Sequence, residues 1–326
     1  MWFKNLIFYR FQQPFTTSQE ELELLLQKKA FHKCGTQDIQ SYGWVSPMGR
    51  HGKMLSLVSG DCLLLTAHKE EKILPASVIR EAVEEKADAI EQEEDRIVSS
   101  REKRALKEDV TMTLLPRAFS RSQNISAYID TQDQWLVVDA ASFKKAEEFT
   151  SFLRDTLGSL PVVNLSFKNT PSWYMTQWLI QKNLPQSFEL GDECELREPG
   201  DDGGKIKANR QELTSAEIMG HLDAGKQVSK LALNWEDSLT YVLCDDLVIR
   251  KMKFTDTIAT ELDNTQAETA EEQLDADFSL MSLTFRNLLS STVKVLGSIQ
   301  PLKDHETIKD IAFNTTLSDP KNPVLS

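Results

Sequence analysis

The chain has 326 residues, of which 40% are hydrophobic and 27% charged, and its formal net charge is −13 at pH 7. This length allows two or three domains with their own cores, and the composition is that of a soluble globular protein. No apolar run approaches the length of a membrane span, and the N-terminus lacks the order of a signal peptide, so we expect a cytosolic protein. Four scattered cysteines and five histidines without metal-ligand spacing predict no metal, no cofactor and no disulfide framework.

The negative charge is concentrated in one segment. Residues 261–277 contain seven acidic residues and no basic one, so they supply seven of the thirteen net negative charges. The field at a binding site depends on local clusters rather than on the total charge. Basic surfaces elsewhere on the chain therefore remain compatible with the acidic composition.

The N-terminal region predicts an α+β pattern. Residues 1–10 are rich in aromatic and β-branched types and predict a strand. Ser18, with Glu21 three residues later, forms the capping-box pattern that begins a helix. The apolar run Cys62–Ala67 predicts a buried strand.

A long helical pair is predicted next. Pro75 can begin a helix, and the sequence from Ala76 to Leu115 is nearly free of helix breakers, except that Ser99 and its neighbour interrupt it and cap a second helix. The apolar stripe is thin. Such a pair suits an arm that projects from the body of the protein or that a partner completes.

Pro116 ends this helical pair and forces a turn that carries Phe119 between Arg117 and Arg121. By spacing alone, the simplest interpretation is that Phe119 packs in a core. The alternative is a contact point at the tip of a projecting element.

Alternating strands and helices follow. The runs Ile125–Asp130 and Gln134–Ala140 predict a β-hairpin, and Ser142 begins a helix that ends at Leu157 before a glycine. Pro161–Phe167 predicts a strand, and Thr170 with the following proline begins another helix.

Strands dominate from about residue 186, with a short helix that begins at Thr214 or Ser215, and Phe278–Leu296 predicts an amphipathic helix. The predicted strands are Ser187–Leu196, Gly203–Ala208, Gln227–Trp235, Leu239–Cys244 and Val248–Phe254. The fold class is therefore α+β, with mixed or antiparallel sheets and a projecting long-helix arm. The predicted domains are a central α+β domain (1–75 and 122–170), a helical tip (76–121), a strand-rich base with a C-terminal helix (171–299) and a loose tail (300–326).

Catalytic motifs are not apparent. The sequence has no nucleophile elbow and no phosphate-binding glycine loop. The paired carboxylates Asp201-Asp202 and Asp245-Asp246 lie in apparent turns, where aspartate is common for local hydrogen-bonding reasons. We therefore predict no enzymatic activity, and a metal-dependent nuclease at Asp245-Asp246 is the alternative to be tested.

Basic clusters favour a binding function. They are Lys205, Lys207 and Arg210, followed by Gln211; Lys226 and Lys230; and Arg250, Lys251 and Lys253. Strand alternation predicts that Lys226, Val228 and Lys230 share one polar face. Lysines on solvated strand edges explain each cluster separately, because such lysines also prevent aggregation. Together the clusters predict a positive surface that binds phosphates without reading bases.

Several segments, in matching order and spacing over roughly residues 1–296, resemble the recombination-associated protein RdgC family of proteobacteria. The segments are Met1–Leu6, Gly43–Val45, Lys69–Pro75, Leu114–Arg121, Gly158–Val162, Lys230–Leu233 and Cys244–Asp246. The resemblance implies a cytoplasmic, nucleoid-associated protein that binds double-stranded DNA, with single-stranded DNA as a further candidate, and that restrains filament formation by a RecA-type recombinase in recombination and replication-fork repair.

The resemblance also implies a ring-shaped homodimer, closed at two interfaces around a positively charged hole. The helical pair would carry one closure, the gate, with Phe119 as a contact residue, and Arg210 and Gln211 match a finger segment of the family. Candidate lining residues are Lys72, Arg117, Arg121, Lys144, Lys145, Lys205, Lys207, Arg210, Lys226, Lys230, Arg250, Lys251 and Lys253. The rival hypothesis is a protein-interaction module of the recombination machinery, in which DNA contact is incidental.

Overall fold

The computed structural model describes residues 2–200, 203–255 and 269–297. The strands are β1 (Leu6–Phe11), β2 (Gln40–Val45), β3 (Ser56–Ser59), β4 (Cys62–Ile73), β5 (Phe119–Asp130), β6 (Trp135–Asp139), β7 (Val162–Val163), β8 (Phe188–Arg197), β9 (Lys205–Asn209), β10 (Gln227–Trp235), β11 (Leu239–Cys244) and β12 (Ile249–Phe254). The helices are α1 (Gln19–Gln27), α2 (Ala76–Glu94), α3 (Ser100–Leu114), α4 (Phe143–Leu157), α5 (Pro171–Gln181), α6 (Ala216–Asp223) and α7 (Ala270–Leu296).

All twelve strands join in a single sheet. Its order is β2-β4-β5-β6-β1-β12-β11-β10-β8-β9, with β3 paired to β4 and β7 paired to β1. Each of these strand pairs is antiparallel. The α+β class is therefore confirmed.

Local signals placed several helix ends where we predicted them. The Ser18 hydroxyl accepts from the Glu21 N–H at the start of α1, and Ser99 and Glu102 form a capping box at the start of α3. Helix α4 ends at Gly158, whose φ of 79° suits the left-handed C′ position. The predicted hairpin is β5–β6, joined across residues 131–134.

Other boundaries differ from the prediction. β4 continues six residues beyond Ala67, through the charged run that ends at Ile73, because it pairs along its whole length with β5. The strand predicted at Pro161–Phe167 is reduced to the two residues of β7. α7 begins at Ala270, eight residues early, since Glu271 and Glu272 in its first turn favour a helix N-terminus.

The sheet has two covered faces. On the first, which we name the α7 face, α5, α6 and α7 bury a core that contains Trp178, Leu222 and Phe285. On the second, the α4 face, α1 and α4 bury a core that contains Leu26 and Phe149. Both cores extend along several strands, so the sheet forms a continuous platform between them.

One buried ion pair attaches α7 to the sheet. The Arg286 guanidinium donates from Nε to Asp130 Oδ2 at 2.7 Å and from Nη2 to Oδ1 at 2.9 Å. The Asp130 side chain is 1% exposed. The two hydrogen bonds are therefore made largely out of water.

The helices α2 and α3 have their own small core. Val83, Ala87, Val98 and Val110 are buried, yet no residue of α2 or α3 belongs to the cores of the two sheet faces. This separation is consistent with the thin apolar stripe in the sequence.

Two features of the sequence fall partly or wholly outside the described residues. The predicted tail 300–326 lies outside them, and so do residues 261–268 of the acidic segment. Among the helices that are described, none combines the length and apolarity needed to cross a membrane.

Candidate nucleic-acid interface

Most of the predicted cations lie on the α4 face of the sheet. Strand alternation places Arg121 on the same side as Ile125 and Ala127, which belong to the core beneath α4. Lys230 is paired with Cys244, another residue of that core. By the same alternation and pairing, the residues on this side are Arg121, Lys205, Lys207, Lys230, Arg250 and Lys253.

A cleft of about 270 Å³ lies on this face between the β4–β5 ribbon and the first turn of α4. It is lined by four basic side chains and two acidic ones, together with polar and apolar residues. The charged members are Lys69, Arg121, Lys144, Lys145, Glu71 and Glu148. We name it the α4 cleft.

Charge in the α4 cleft is only partly compensated. Lys69 Nζ lies 2.5 Å from Glu148 Oε1 and 3.8 Å from Glu71 Oε2, so both acids are drawn to one lysine. Arg121, Lys144 and Lys145 are exposed and have no ion pair within 4 Å among the residues described. These three cations are therefore available to an external anion.

The cations of β8–β12 have a different environment. Lys230 Nζ lies 2.8 Å and Lys207 Nζ 3.7 Å from Glu195 Oε2, and Lys251 Nζ lies 2.6 Å from Glu193 Oε1. Arg250 lies 3.6 Å from Asp246, and Lys226 lies 3.0 Å from Glu198. Five of the predicted DNA-binding residues are thus in ion pairs within the chain.

Glu195 is the centre of the largest of these groups. Glu195 is 7% exposed, and Ser229 Oγ donates to Glu195 Oε1 at 3.2 Å. Burial opposes ionisation, but the hydrogen bond and charge of Lys230, with Ser229 and Lys207, lower the pKa of Glu195 overall. The carboxylate is therefore ionised at neutral pH, and the group formed by Glu195, Lys207 and Lys230 keeps one net positive charge instead of two.

The prediction that Val228 lies on the same polar face of β10 as Lys226 and Lys230 is wrong. Val228 is fully buried in the core of the α7 face together with Leu231, three residues later. The pairing of β10 with β8 shifts register between Val228 and Lys230. This irregularity turns Val228 to the side opposite Lys230.

The remaining predicted residues are distributed more widely. Lys72 pairs with Ser120 and lies on the side of the ribbon opposite Arg121. Arg117 is exposed at the end of the 3₁₀ helix Leu115–Arg117. Arg210 and Gln211 are exposed in the turn after β9, where Arg210 has a φ of 55°.

Phe119 is not a core residue. It begins β5 opposite Ile73, and its side chain is 85% exposed, with Ile73 46% exposed. The interpretation of Phe119 as a core residue is therefore wrong. The two residues form an exposed apolar pair where the β4–β5 ribbon meets the helical pair.

The carboxylates considered for a nuclease have local partners. Asp246 Oδ1 accepts from the Val248 N–H at 3.1 Å, and its other oxygen faces Arg250. Burial and the neighbouring Asp246 raise the pKa of Asp245. Within the described ranges, no three His, Cys, Asp or Glu residues are grouped closely enough to hold a metal ion.

The acidic residues that pair with the lysines of β9, β10 and β12 were not identified from the sequence. Glu193 and Glu195 alternate along β8, and Glu195 lies directly opposite Lys207 on β9 and Lys230 on β10. The alternation of Glu193, Glu195 and Arg197 was a signal for a charged strand face. Its lysine partners could be identified only once the register was known.

Comparison with known proteins agrees with the resemblance. Residues 1–299 match the family model described as "Putative exonuclease, RdgC". The chain is 45% identical over 297 residues to the recombination-associated protein RdgC of Aeromonas hydrophila, covering 91% of this chain and 98% of that protein.

Other relatives match to a similar degree. The recombination-associated protein RdgC of Proteus mirabilis is 43% identical over 297 residues, covering 91% of this chain and 98% of its own length. The RdgC protein of Shewanella halifaxensis is 42% identical over 300 residues, covering 92% of this chain and 99% of that protein. By family model and by relatives alike, this chain belongs to the RdgC family.

Proposed function

We propose that this protein binds double-stranded DNA without sequence preference, encircles it as a homodimeric ring, and so restrains a RecA-type recombinase during recombination and replication-fork repair. The observation that carries the proposal is the α4 face, on which three unpaired cations line a cleft beside further cations on the same sheet. Lysine and arginine on a surface of this kind bind phosphates, and phosphate contacts carry no sequence information. The name shared by the relatives supports the role in recombination.

The direct test is a DNA-binding titration at several salt concentrations. If several phosphates are neutralised, a plot of log K against the logarithm of the salt concentration is linear. Its slope is about −0.9 for each neutralised phosphate. Duplexes of unrelated sequence should give the same affinity. A titration that stays flat between low and moderate salt, or no binding by the purified protein, would instead favour the protein-interaction module.

A ring makes a further topological prediction. Protein bound to closed circular DNA should resist a high-salt wash and should be released when the circle is cut once, because a linear duplex lets a ring slide off. If the protein is released equally from circular and linear DNA, it binds the surface of the duplex and does not encircle it.

The helical pair α2–α3 is the proposed arm that closes the gate. Its core is separate from those of the sheet, and Phe119 with Ile73 presents apolar surface at its base. Surface of this kind is typical of protein interfaces. The second closure would involve the strand-rich half.

Replacing Phe119 with Ser should weaken dimerisation and leave the fold intact. The side chain is exposed, so the melting temperature should change little, whereas an aromatic anchor at an interface contributes about 2 kcal/mol or more, or roughly 30-fold in the dimer dissociation constant. Sedimentation over a concentration series would measure this change. Leu24→Ser, which removes another exposed apolar side chain from α1, is the control and should have no effect on dimerisation.

The proposed mechanism is occlusion, without catalysis or a cofactor. On linear DNA, bound protein should delay recombinase assembly, and the delay should disappear at salt concentrations that release the protein. The family description includes a putative exonuclease, so the same DNA should also be incubated with magnesium or manganese. If the unaltered protein cleaves the DNA and the Asp246→Asn variant does not, the protein is a nuclease and the occlusion mechanism is wrong.

A further inference from the structure

The paired cations of β8–β12 differ from the unpaired cations of the α4 cleft in one physical respect. Lys207 and Lys230 share the carboxylate of Glu195, and Lys251 is held by Glu193. Glu195 is 7% exposed and also accepts from Ser229, and these contacts hold its carboxylate beside the two lysines. A DNA phosphate that approaches these lysines must therefore compete with a carboxylate that stays in place.

This competition has a predictable effect on DNA binding. The Lys251–Glu193 pair carries no net charge, and Lys207 and Lys230 together with Glu195 carry one positive charge instead of two. Each carboxylate therefore reduces the release of counterions from DNA by about one. Glu193 and Glu195 lie on β8, and the six strand steps from β5 to β8 separate these carboxylates from the α4 cleft by roughly 29 Å, well beyond the Debye length of about 8 Å at physiological salt. The carboxylates thus weaken phosphate binding at β8–β12 without weakening it in the α4 cleft.

We propose that Glu195, and to a lesser extent Glu193, are intramolecular competitors of the DNA phosphates and hold the strand-rich half of the α4 face in weak contact with the duplex. This inference rests on the proposed function. The α4 cleft supplies the strong phosphate contacts. The β8–β12 surface supplies exchangeable ones, which let the bound duplex move relative to the protein.

The test is the variant Glu195→Gln, which keeps the shape of the side chain and its ability to accept from Ser229. Freeing Lys207 and Lys230 should steepen the salt dependence, with the slope of log K rising by about one, and should raise duplex affinity roughly three- to tenfold. Affinity would be measured by fluorescence anisotropy with a labelled duplex, and the melting temperature would be recorded for each variant.

Two controls separate local competition from a general change of charge. Glu189→Gln removes the same charge from the same strand and face, but Glu189 has no lysine or arginine within 4 Å among the described residues. It should give less than half the gain of Glu195→Gln. In a background with both Lys207→Gln and Lys230→Gln, the gain from Glu195→Gln should disappear.

The outcomes distinguish this inference from the proposed function. If the unaltered protein does not bind duplex DNA, the proposed function fails. If it binds and Glu195→Gln leaves affinity unchanged or lowers it, or if Glu189→Gln gives an equal gain, the inference is overturned. Should Glu195→Gln fail to fold, Glu193→Gln at the more exposed pair with Lys251 must still raise affinity and steepen the slope.

Discussion

Replacing Arg121, Lys144 and Lys145 together with Gln is expected to weaken duplex DNA binding roughly 100-fold at about 0.1 M salt. These are the cations of the α4 cleft that have no ion pair within 4 Å among the described residues, so each can neutralise a phosphate without first leaving a carboxylate. The salt dependence of log K should also become shallower by about 2.7, which is about 0.9 for each phosphate that is no longer neutralised.

The three side chains are exposed, and their removal should not alter stability. The matched control is a triple variant in which Lys168, Lys182 and Lys294 become Gln. These lysines are exposed on or beside α5 and α7, which cover the opposite face of the sheet. The control removes the same total charge and should weaken binding only a few-fold. Equal effects in the two triple variants would show that net charge, not the α4 cleft, determines affinity.

Replacing Arg286 with Met is expected to destabilise the protein by about 3–5 kcal/mol, because it leaves the carboxylate of Asp130 buried without its cation. The residue belongs to α7, and its replacement would loosen the attachment of that helix to the end of β5. Denaturant unfolding followed by circular dichroism would measure the change in the free energy of unfolding.

The companion variant tests the cause. Asp130→Asn combined with Arg286→Met removes both charges and retains an oxygen that can accept from the N–H groups of Gln132 and Asp133. It should recover more than half of the lost stability. Arg80→Met, at an exposed position on α2, should change stability by about 0.5 kcal/mol or less. If the double variant is no more stable than Arg286→Met, the missing packing of the arginine stem is the cause.

The proposed DNA binding is compatible with an acidic protein because the charges are unevenly distributed over its surface. The total charge is negative, yet the α4 cleft brings three cations together without an ion pair among the described residues, and several other cations on the sheet have acidic partners. Local potential, and not the sum of charges, determines where a polyanion can approach.

Several features of this protein follow from its sequence alone. The capping box at Ser99, the prolines at 75 and 116 and the glycine at 158 determined where α2, α3 and α4 begin or end. These signals act within one helical turn, so they can be recognised without knowing the fold. The motif segments also identified the family, since their order and spacing are properties of the chain.

Other features were decided by the tertiary structure. The charged half of β4 is a strand because β5 pairs with all of it, and Phe119 is exposed because that ribbon extends past the core. The bulge that buries Val228, and the register that brings Glu195 to Lys207 and Lys230, depend on contacts between residues far apart in sequence. Composition placed the lysines on strands, but only the pairing of those strands decided which of them are neutralised and which face an incoming phosphate.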